Sequence, residues 1–178
     1  MKDISEIIEN LATALAIIIG GGWTLWRFGL FRERFAKMEF NLDCRFIGKS
    51  GNDYLIEIIA TMENKGSVRQ TIKKFTFDLL LFNETNVIDE TIKKINYQVN
   101  FPNKKISRRP WVPNPWEETF IDAGTIQVYR YLTSIPADTE FISVYSKFIY
   151  PNSNDFHSAQ MTFNVNHLIQ KVKPCPGE

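Results

Sequence analysis

The first feature of the hydrophobicity pattern is a continuous apolar run near the N-terminus. From Leu11 to Trp26 sixteen residues carry no charge. A helix of about 22 residues, which includes the apolar flanks of this run, spans roughly 33 Å and matches a hydrocarbon layer of about 30 Å. We therefore predict three N-terminal segments: an acidic tail at 1–10, a transmembrane helix at 11–31 and a basic juxtamembrane helix or linker at 32–38.

Two other interpretations of the apolar run fit the sequence less well. A cleaved signal peptide needs a basic leader and a small-residue cleavage site. Here Lys2 is outnumbered by Asp3, Glu6 and Glu9, and the run ends in WTLWRF. A buried helix of a soluble protein would normally show a polar face, and residues 11–26 have none.

The charges that flank the run predict the orientation of the chain. Lys2 precedes the run, whereas Arg27, Arg32, Arg34 and Lys37 follow it closely. Positively charged flanks tend to stay on the cytoplasmic side. We therefore expect a single-pass protein of the inner (cytoplasmic) membrane, with its N-terminus outside and its remaining domain in the cytoplasm.

Small residues recur every four positions along the predicted helix, at Ala12, Ala16, Gly20 and Thr24. A stripe of this kind lets two helices approach closely. It predicts either self-association or pairing with another membrane protein. The alternative is that Ala and Gly are simply frequent in membrane helices.

After Lys37 the apolar positions alternate, which is the pattern of half-buried strands. The sequence predicts strands at 38–48, 53–64, 70–83, 94–101, 118–121, 125–134, 140–150 and 158–165. No amphipathic helix is predicted between them. Short strands with turn signals at this spacing favour two packed antiparallel layers.

We therefore predict an all-β fold, an antiparallel immunoglobulin-like β-sandwich over 39–168, followed by a flexible tail at 169–178. The term immunoglobulin-like describes the architecture only. Phe141 occupies the position closest to the corner tyrosine of immunoglobulin domains, and the Cys–Trp–Cys pattern of those domains is absent.

Three stretches carry a resemblance to known sequences: IIIGGGWTLWRFGLFRERFAKMEFNLD, ATMENKG and SIPADTEFISVYSKFIY. Their order resembles a class of uncharacterised bacterial single-pass membrane proteins, which join a Gly/Trp-rich N-terminal span to a β-sandwich domain. The resemblance covers most of the chain. It implies the architecture and no activity or functional residue.

Composition and motifs narrow the range of functions. The formal net charge is +1, so no broad basic field predicts nucleic-acid binding. The GKS sequence at 48–50 has Asp43 where a P-loop needs Gly. His157 and His167 are ten residues apart and do not form a metal-ligand cluster. We predict no enzyme activity, cofactor or metal. An alternative is a pair of catalytic carboxylates that are distant in sequence and are brought together by the fold.

One segment, from Lys104 to Trp116, has an unusual composition. Its cations and indoles are Lys104, Lys105, Arg108, Arg109, Trp111 and Trp116, and they stand among three prolines. Trp and Arg are enriched at binding hot spots, and basic and Trp residues also favour anionic bilayer surfaces. Three interpretations stay open: a protein contact, a lipid contact, or a loop whose tryptophans cover the end of the sandwich.

The sequence thus predicts a membrane-tethered interaction or sensing module without catalytic activity. Its partners would be the lipid bilayer and either a protein partner or a homo-oligomer. The alternative is a small membrane subunit that assembles through the transmembrane stripe at Ala12, Ala16, Gly20 and Thr24.

Overall fold

The N-terminal apolar run forms one long helix. The computed structural model describes residues 2–30, 36–86, 101–113, 116, 118–151 and 155–172. Helix α1 spans Lys2–Thr24 and continues as a π-helical turn, Leu25–Leu30. The predicted acidic tail at 1–10 is therefore helical from residue 2, which corrects that boundary. Within the described part of the chain, α1 is the one helix long and apolar enough to cross a membrane, over Ile4–Arg27.

The change to π geometry follows a weak stretch of helix. Gly20, Gly21 and Gly22 lower the helix propensity, and the Thr24 hydroxyl donates to the Gly20 carbonyl oxygen at 2.7 Å. Hydroxyl bonds of this kind compete with the helical ladder and bend helices. The first wider turn begins at the next residue, Leu25.

The rest of the described chain is mainly antiparallel sheet, as predicted. The strands are β1 (Met38–Ser50), β2 (Asp53–Asn64), β3 (Gln70–Asn83), β4 (Asn103–Pro110), β5 (Glu118–Ile121), β6 (Ile126–Pro136), β7 (Thr139–Ile149) and β8 (Phe156–Asn164). A short helix, α2, follows at Val165–Val172. The alternation of buried and exposed side chains explains the strands, since period 2 gives each one a core face.

The strands form two sheets. The first sheet has the order β1-β2-β6, and the second has the order β4-β3-β7-β8. Strand β5 pairs with β3 at Gln70–Lys73, just before the β4 pairing at Thr76–Leu81. Because β7 occupies the other edge of β3, β4 and β5 follow each other along one edge, with an interruption between them.

One hydrophobic core joins the two sheets. Phe40 of β1 meets Phe148 of β7 with ring centroids 5.6 Å apart. On the other side of the core, Phe77 of β3 meets Tyr131 of β6 at 5.0 Å. Such tilted aromatic pairs add stabilisation beyond the apolar area that they bury.

The buried amide of Asn64 organises the end of the domain where β1 begins. Its Nδ2 donates to the carbonyl oxygens of Val68, at 2.9 Å, and Ile121, at 3.0 Å, and its Oδ1 accepts from the Gly66 amide at 3.0 Å. Its backbone N–H donates to Thr125, and its carbonyl accepts from Gly124. One residue therefore joins two of the three turns through which the chain crosses between the sheets, β2 to β3 and β5 to β6, and the third crossing is β6 to β7.

Two regions differ from the sequence prediction. Strand β4 lies in the segment predicted as a loop, whereas the strand predicted at 94–101 falls almost entirely outside the described residues. Strand β8 ends at Asn164, and its side chain caps α2 by accepting from the His167 amide at 3.0 Å. Helix α2 buries Val165 and Leu168 in the core, so the predicted tail at 169–178 is helical up to Val172.

The Asn64 network makes a testable prediction about stability. Asn64→Ala leaves buried carbonyls and an amide without partners, which should lower the free energy of unfolding by about 2–4 kcal/mol. The measurement is urea unfolding of the full chain in detergent, followed by near-UV circular dichroism. Asn41→Ala is the matched control, because the Asn41 amide bonds Glu39 at an exposed position. Equal stability of the two variants would contradict the role given to Asn64.

Candidate functional site

The basic residues of the predicted contact segment lie on an edge strand. Strand β4 pairs with β3 on one side, and its residues are almost all exposed. Its four cations, which we call the basic edge, are Lys104, Lys105, Arg108 and Arg109. The prediction that prolines disfavour a central strand agrees with this position, since Pro110 ends β4 at the sheet edge. Edge cations also discourage unwanted strand pairing, so this structural role stands beside the contact hypothesis.

Asp78 of β3 holds a bulge in the basic edge. Its Oδ1 accepts from the Arg108 amide at 2.7 Å and lies 3.3 Å from the Lys104 Nζ. Arg108 has a φ of 47°, a left-handed conformation that is uncommon outside glycine. The bulge shifts the register of β4 between Lys104 and Arg109. The carboxylate therefore neutralises one cation and fixes the backbone of another.

Trp111 does not form part of an accessible contact, which corrects one predicted site residue. Its side chain is 8% exposed and lies 4.5 Å from the Phe77 ring, centroid to centroid. The indole Nε1 donates to Ser146 Oγ at 2.9 Å, and that hydroxyl donates to the Thr76 carbonyl oxygen, also at 2.9 Å. The physical reason for burial is this polar chain, which satisfies the indole N–H inside the core.

Trp116 lies in solvent, whereas Arg109 contacts an aromatic ring of the first sheet. Trp116 is 69% exposed and contacts solvent beside the start of β5. The Arg109 guanidinium carbon lies 5.8 Å from the centroid of the Tyr131 ring, which belongs to the first sheet. The structure therefore brings the four cations together along one edge, places Trp116 beyond the end of β4, and removes Trp111 to the core.

A groove of about 320 Å³ opens where the edge of β3 is interrupted between β4 and β5. We call it the edge groove. Its wall includes Lys73, Lys74, Pro110, Val112, Trp116 and Glu118. Lys73 and Glu118, which are register partners on β3 and β5, form an ion pair in this wall. Lys74 has a φ of 49° at a break in the β3–β7 register. The groove thus offers an indole, an apolar floor and cations beside the basic edge.

Sequence reasoning missed the residues that shape this site. Asp78 is the one charged residue of the apolar stretch FTFDLLLF. Its outward position in that strand could have indicated a polar contact on the surface of the sheet. Lys73 and Lys74 gave no such signal, because the bulge that opens the groove depends on partners distant in sequence.

Other reactive groups do not form a site in the part of the chain that the structure describes. No group of three His, Cys, Asp or Glu side chains there could hold a metal ion. Burial, with the charges of Asp43 and Glu57, raises the pKa of the Cys44 thiol to about 12, so it stays protonated at neutral pH. His157 Nδ1 and the Tyr150 hydroxyl are 2.9 Å apart and hydrogen-bonded.

Comparison with known proteins gives weak likenesses. No protein-family model matches the chain, and no curated protein matches it. The structural genomics target SoR45 is similar at 13% identity and a TM-score of 0.41, covering 71% of this chain and 86% of its own. A Bordetella pertussis target named as an ApaA protein is similar at 9% identity and a TM-score of 0.40, covering 72% of this chain and 94% of its own. Neither likeness assigns a function to this chain.

The two tryptophans of the segment make a matched test of the site. Trp111→Ala should lower the free energy of unfolding by about 3–5 kcal/mol, because it leaves a cavity in the core and removes the indole bond to Ser146. Trp116→Ala should change it by no more than about 0.5 kcal/mol, because the side chain is exposed. Both are measured by urea unfolding in detergent, and similar losses in the two variants would refute the assignment.

Proposed function

We propose that the chain is a single-pass membrane protein whose immunoglobulin-like β-sandwich serves as a non-catalytic interaction or sensing module. The observation that carries this proposal is the exposure of α1. Residues 4–27 are all exposed, and the β domain has a core of its own that includes no α1 residue among its members. An apolar helix of this length needs an apolar environment, which a bilayer supplies.

The flanking charges support one orientation within this proposal. Arg27 and Lys37 lie on the side of the span that leads into the β domain, and positive flanks favour the cytoplasmic face. The proposed location of the β domain is therefore the cytoplasmic side of the inner membrane, with the N-terminus of α1 outside. The bacterial class that the sequence resembles has the same arrangement of a span followed by a sandwich.

The basic edge and the edge groove together form our proposed contact for an acidic segment of a protein partner. Lys104 pairs with Leu80, ten residues along β3 from Gln70. At about 3.3 Å per residue this is roughly 33 Å from the end of the domain that continues to α1. For the basic edge this distance favours a protein over lipid as the contact, since the domain would have to lie on its side for Lys104 to reach the bilayer. The edge groove, at Lys73, lies closer to that end, so a partner bound along the basic edge would extend toward the membrane.

The membrane topology can be tested with a single engineered thiol. Asn52→Cys in a Cys175→Ser background places an exposed thiol in the β1–β2 turn, whereas Cys44 is buried and unreactive. We expect a membrane-impermeant maleimide to label this position after cell permeabilisation and not before it. Labelling of intact cells would reverse the orientation, and release of the protein by carbonate would remove the membrane assignment.

The partner contact can be tested by purifying the full-length protein from gently solubilised membranes. A stoichiometric partner should be lost from the Lys105→Glu/Arg108→Glu variant, whose changes reverse exposed charges of the basic edge. It should be retained by the control Lys49→Glu/Lys147→Glu, which makes the same charge change at exposed positions elsewhere. Loss in both variants or in neither would exclude the basic edge as the contact.

The same purification separates this function from the alternative, assembly through the helix. A Cβ added at Gly20 or Gly22 meets no atom of another element within 4 Å, and leucine has a higher helix propensity than glycine at either position. Gly20 belongs to the stripe of Ala12, Ala16 and Thr24, whereas Gly22 points about 200° away from it. A homo-oligomer lost with Gly20→Leu and kept with Gly22→Leu would shift the function to the transmembrane helix.

A further inference from the structure

The end of the β domain nearest to α1 carries exposed apolar side chains. Phe120 is 47% exposed, Ile126 59% and Phe156 62%. Phe120 and Ile126 flank the turn between β5 and β6, and Phe156 is the first residue of β8. We call these three residues the apolar rim. Exposed large apolar groups that gather at one end of a domain indicate a contact surface.

The register places all three residues at the same end. Asn64, the last residue of β2, pairs with Met38 and bonds the turn that contains Gly124 and Thr125. Phe156 pairs with Ile149, next to Phe148, whose ring packs on Phe40 near the start of β1. The apolar rim therefore surrounds the point where β1 begins.

The covalent chain holds this end close to the end of α1. Described structure stops at Leu30 and resumes at Ala36, and six residue steps span at most roughly 20 Å. The opposite end of the domain, with the β1–β2 and β6–β7 turns, is farther away by the length of the strands. Within the described residues, Ile47 is the exposed large apolar side chain nearest to those opposite turns.

We propose that the apolar rim rests on the lipid bilayer, with Phe120, Ile126 and Phe156 in the headgroup layer. This inference rests on the proposed function, because it needs α1 to be a membrane span. Aromatic and aliphatic side chains at the edge of a folded domain gain stabilisation in that layer. The contact fixes the tilt of the β domain and points the basic edge away from the membrane, toward a protein partner.

The charges at this end favour an apolar rather than an electrostatic contact. Lys65 forms ion pairs with Glu39 and Glu63, and Arg69 pairs with Asp122 at 2.6 Å. The Arg69 guanidinium carbon also lies 4.3 Å from the centre of the Phe120 ring. Lys37 is exposed at the same end, but a single cation binds only weakly even to an anionic surface. The rim should therefore bind zwitterionic lipid with little dependence on salt.

The turn that carries two of the three rim residues is also held rigidly. The turn between Phe120 and Ile126 is closed by bonds from the Thr125 amide and hydroxyl to the Asp122 carbonyl oxygen. It is fastened to β2 through Asn64. A rigid turn keeps both side chains exposed together, so little conformational entropy is lost when they enter the headgroup layer.

The test uses the full chain in phosphatidylcholine vesicles that contain headgroup-region spin-labelled lipid as a quencher. A fluorophore is attached at Ala123→Cys, in the turn of the rim, or at Asn52→Cys, at the opposite end, both in the Cys175→Ser background. We expect several-fold stronger quenching at position 123 than at position 52, unchanged by high salt. Equal quenching at the two positions in protein that resists carbonate extraction would overturn this inference and leave the membrane span intact.

A second variant shows which side chains make the contact. Phe120→Ser/Ile126→Ser/Phe156→Ser should reduce quenching at position 123 to the level of position 52. The control Ile47→Ser/Leu132→Ser/Met161→Ser changes residues that are about as exposed elsewhere, and it should leave quenching unchanged. Quenching that disappears at high salt, or that persists in the rim variant, would refute an apolar contact. Protein removed from the vesicles by carbonate would instead refute the membrane span itself.

Discussion

The arrangement of the domain depends on one buried amide, that of Asn64. The chain passes between the sheets at three turns, and two of them, β2–β3 and β5–β6, meet at Asn64 with backbone carbonyl and amide groups that need partners. Asn64 satisfies Val68, Ile121 and Gly66 with a single side chain, where apolar residues could satisfy none. The same bonds position the end of the domain that the chain enters from α1, so the fold and the proposed membrane contact share one cause.

The surface proposed for a partner results from an interruption of regular structure. A continuous strand paired along this edge of β3 would leave no groove between β4 and β5. The left-handed residue Lys74 lies beside the groove, at a break in the β3–β7 register. Strand β4 ends at Pro110, and the burial of Trp111 against Ser146 stabilises the interruption before β5. Non-glycine residues with positive φ have a cost that packing elsewhere must offset. Here the core contacts of Trp111 supply that stabilisation, while the basic edge and Trp116 stay outside.

Alternation of apolar residues was sufficient to predict most strands and the antiparallel all-β class. Strand β4 was not predicted, because NKKISRRP lacks apolar alternation: Ile106 is its one large aliphatic side chain. An edge strand with one partner can form with so few apolar residues. Helix α2 was not predicted, because Val165 fits the alternation of the preceding strand as its last apolar residue. Asn164, which caps the helix, was the residue that could have indicated it. The sequence could not show that Trp111 is buried and Trp116 exposed, since the hydroxyl that accepts the hydrogen bond from the Trp111 indole lies 35 residues away in sequence.

The pairing of β2 has a consequence for synthesis of the protein. Strand β2 pairs with β1 directly after a short turn, but its other edge pairs with β6, as far as Pro136. At about 5–20 residues per second, a ribosome needs roughly 4–14 s to extend the chain from Asn64 to Pro136. In the proposed topology α1 has already entered the bilayer by then. The nascent β1–β2 hairpin therefore waits at the membrane surface with the second edge of β2 unpaired until β6 has been synthesised.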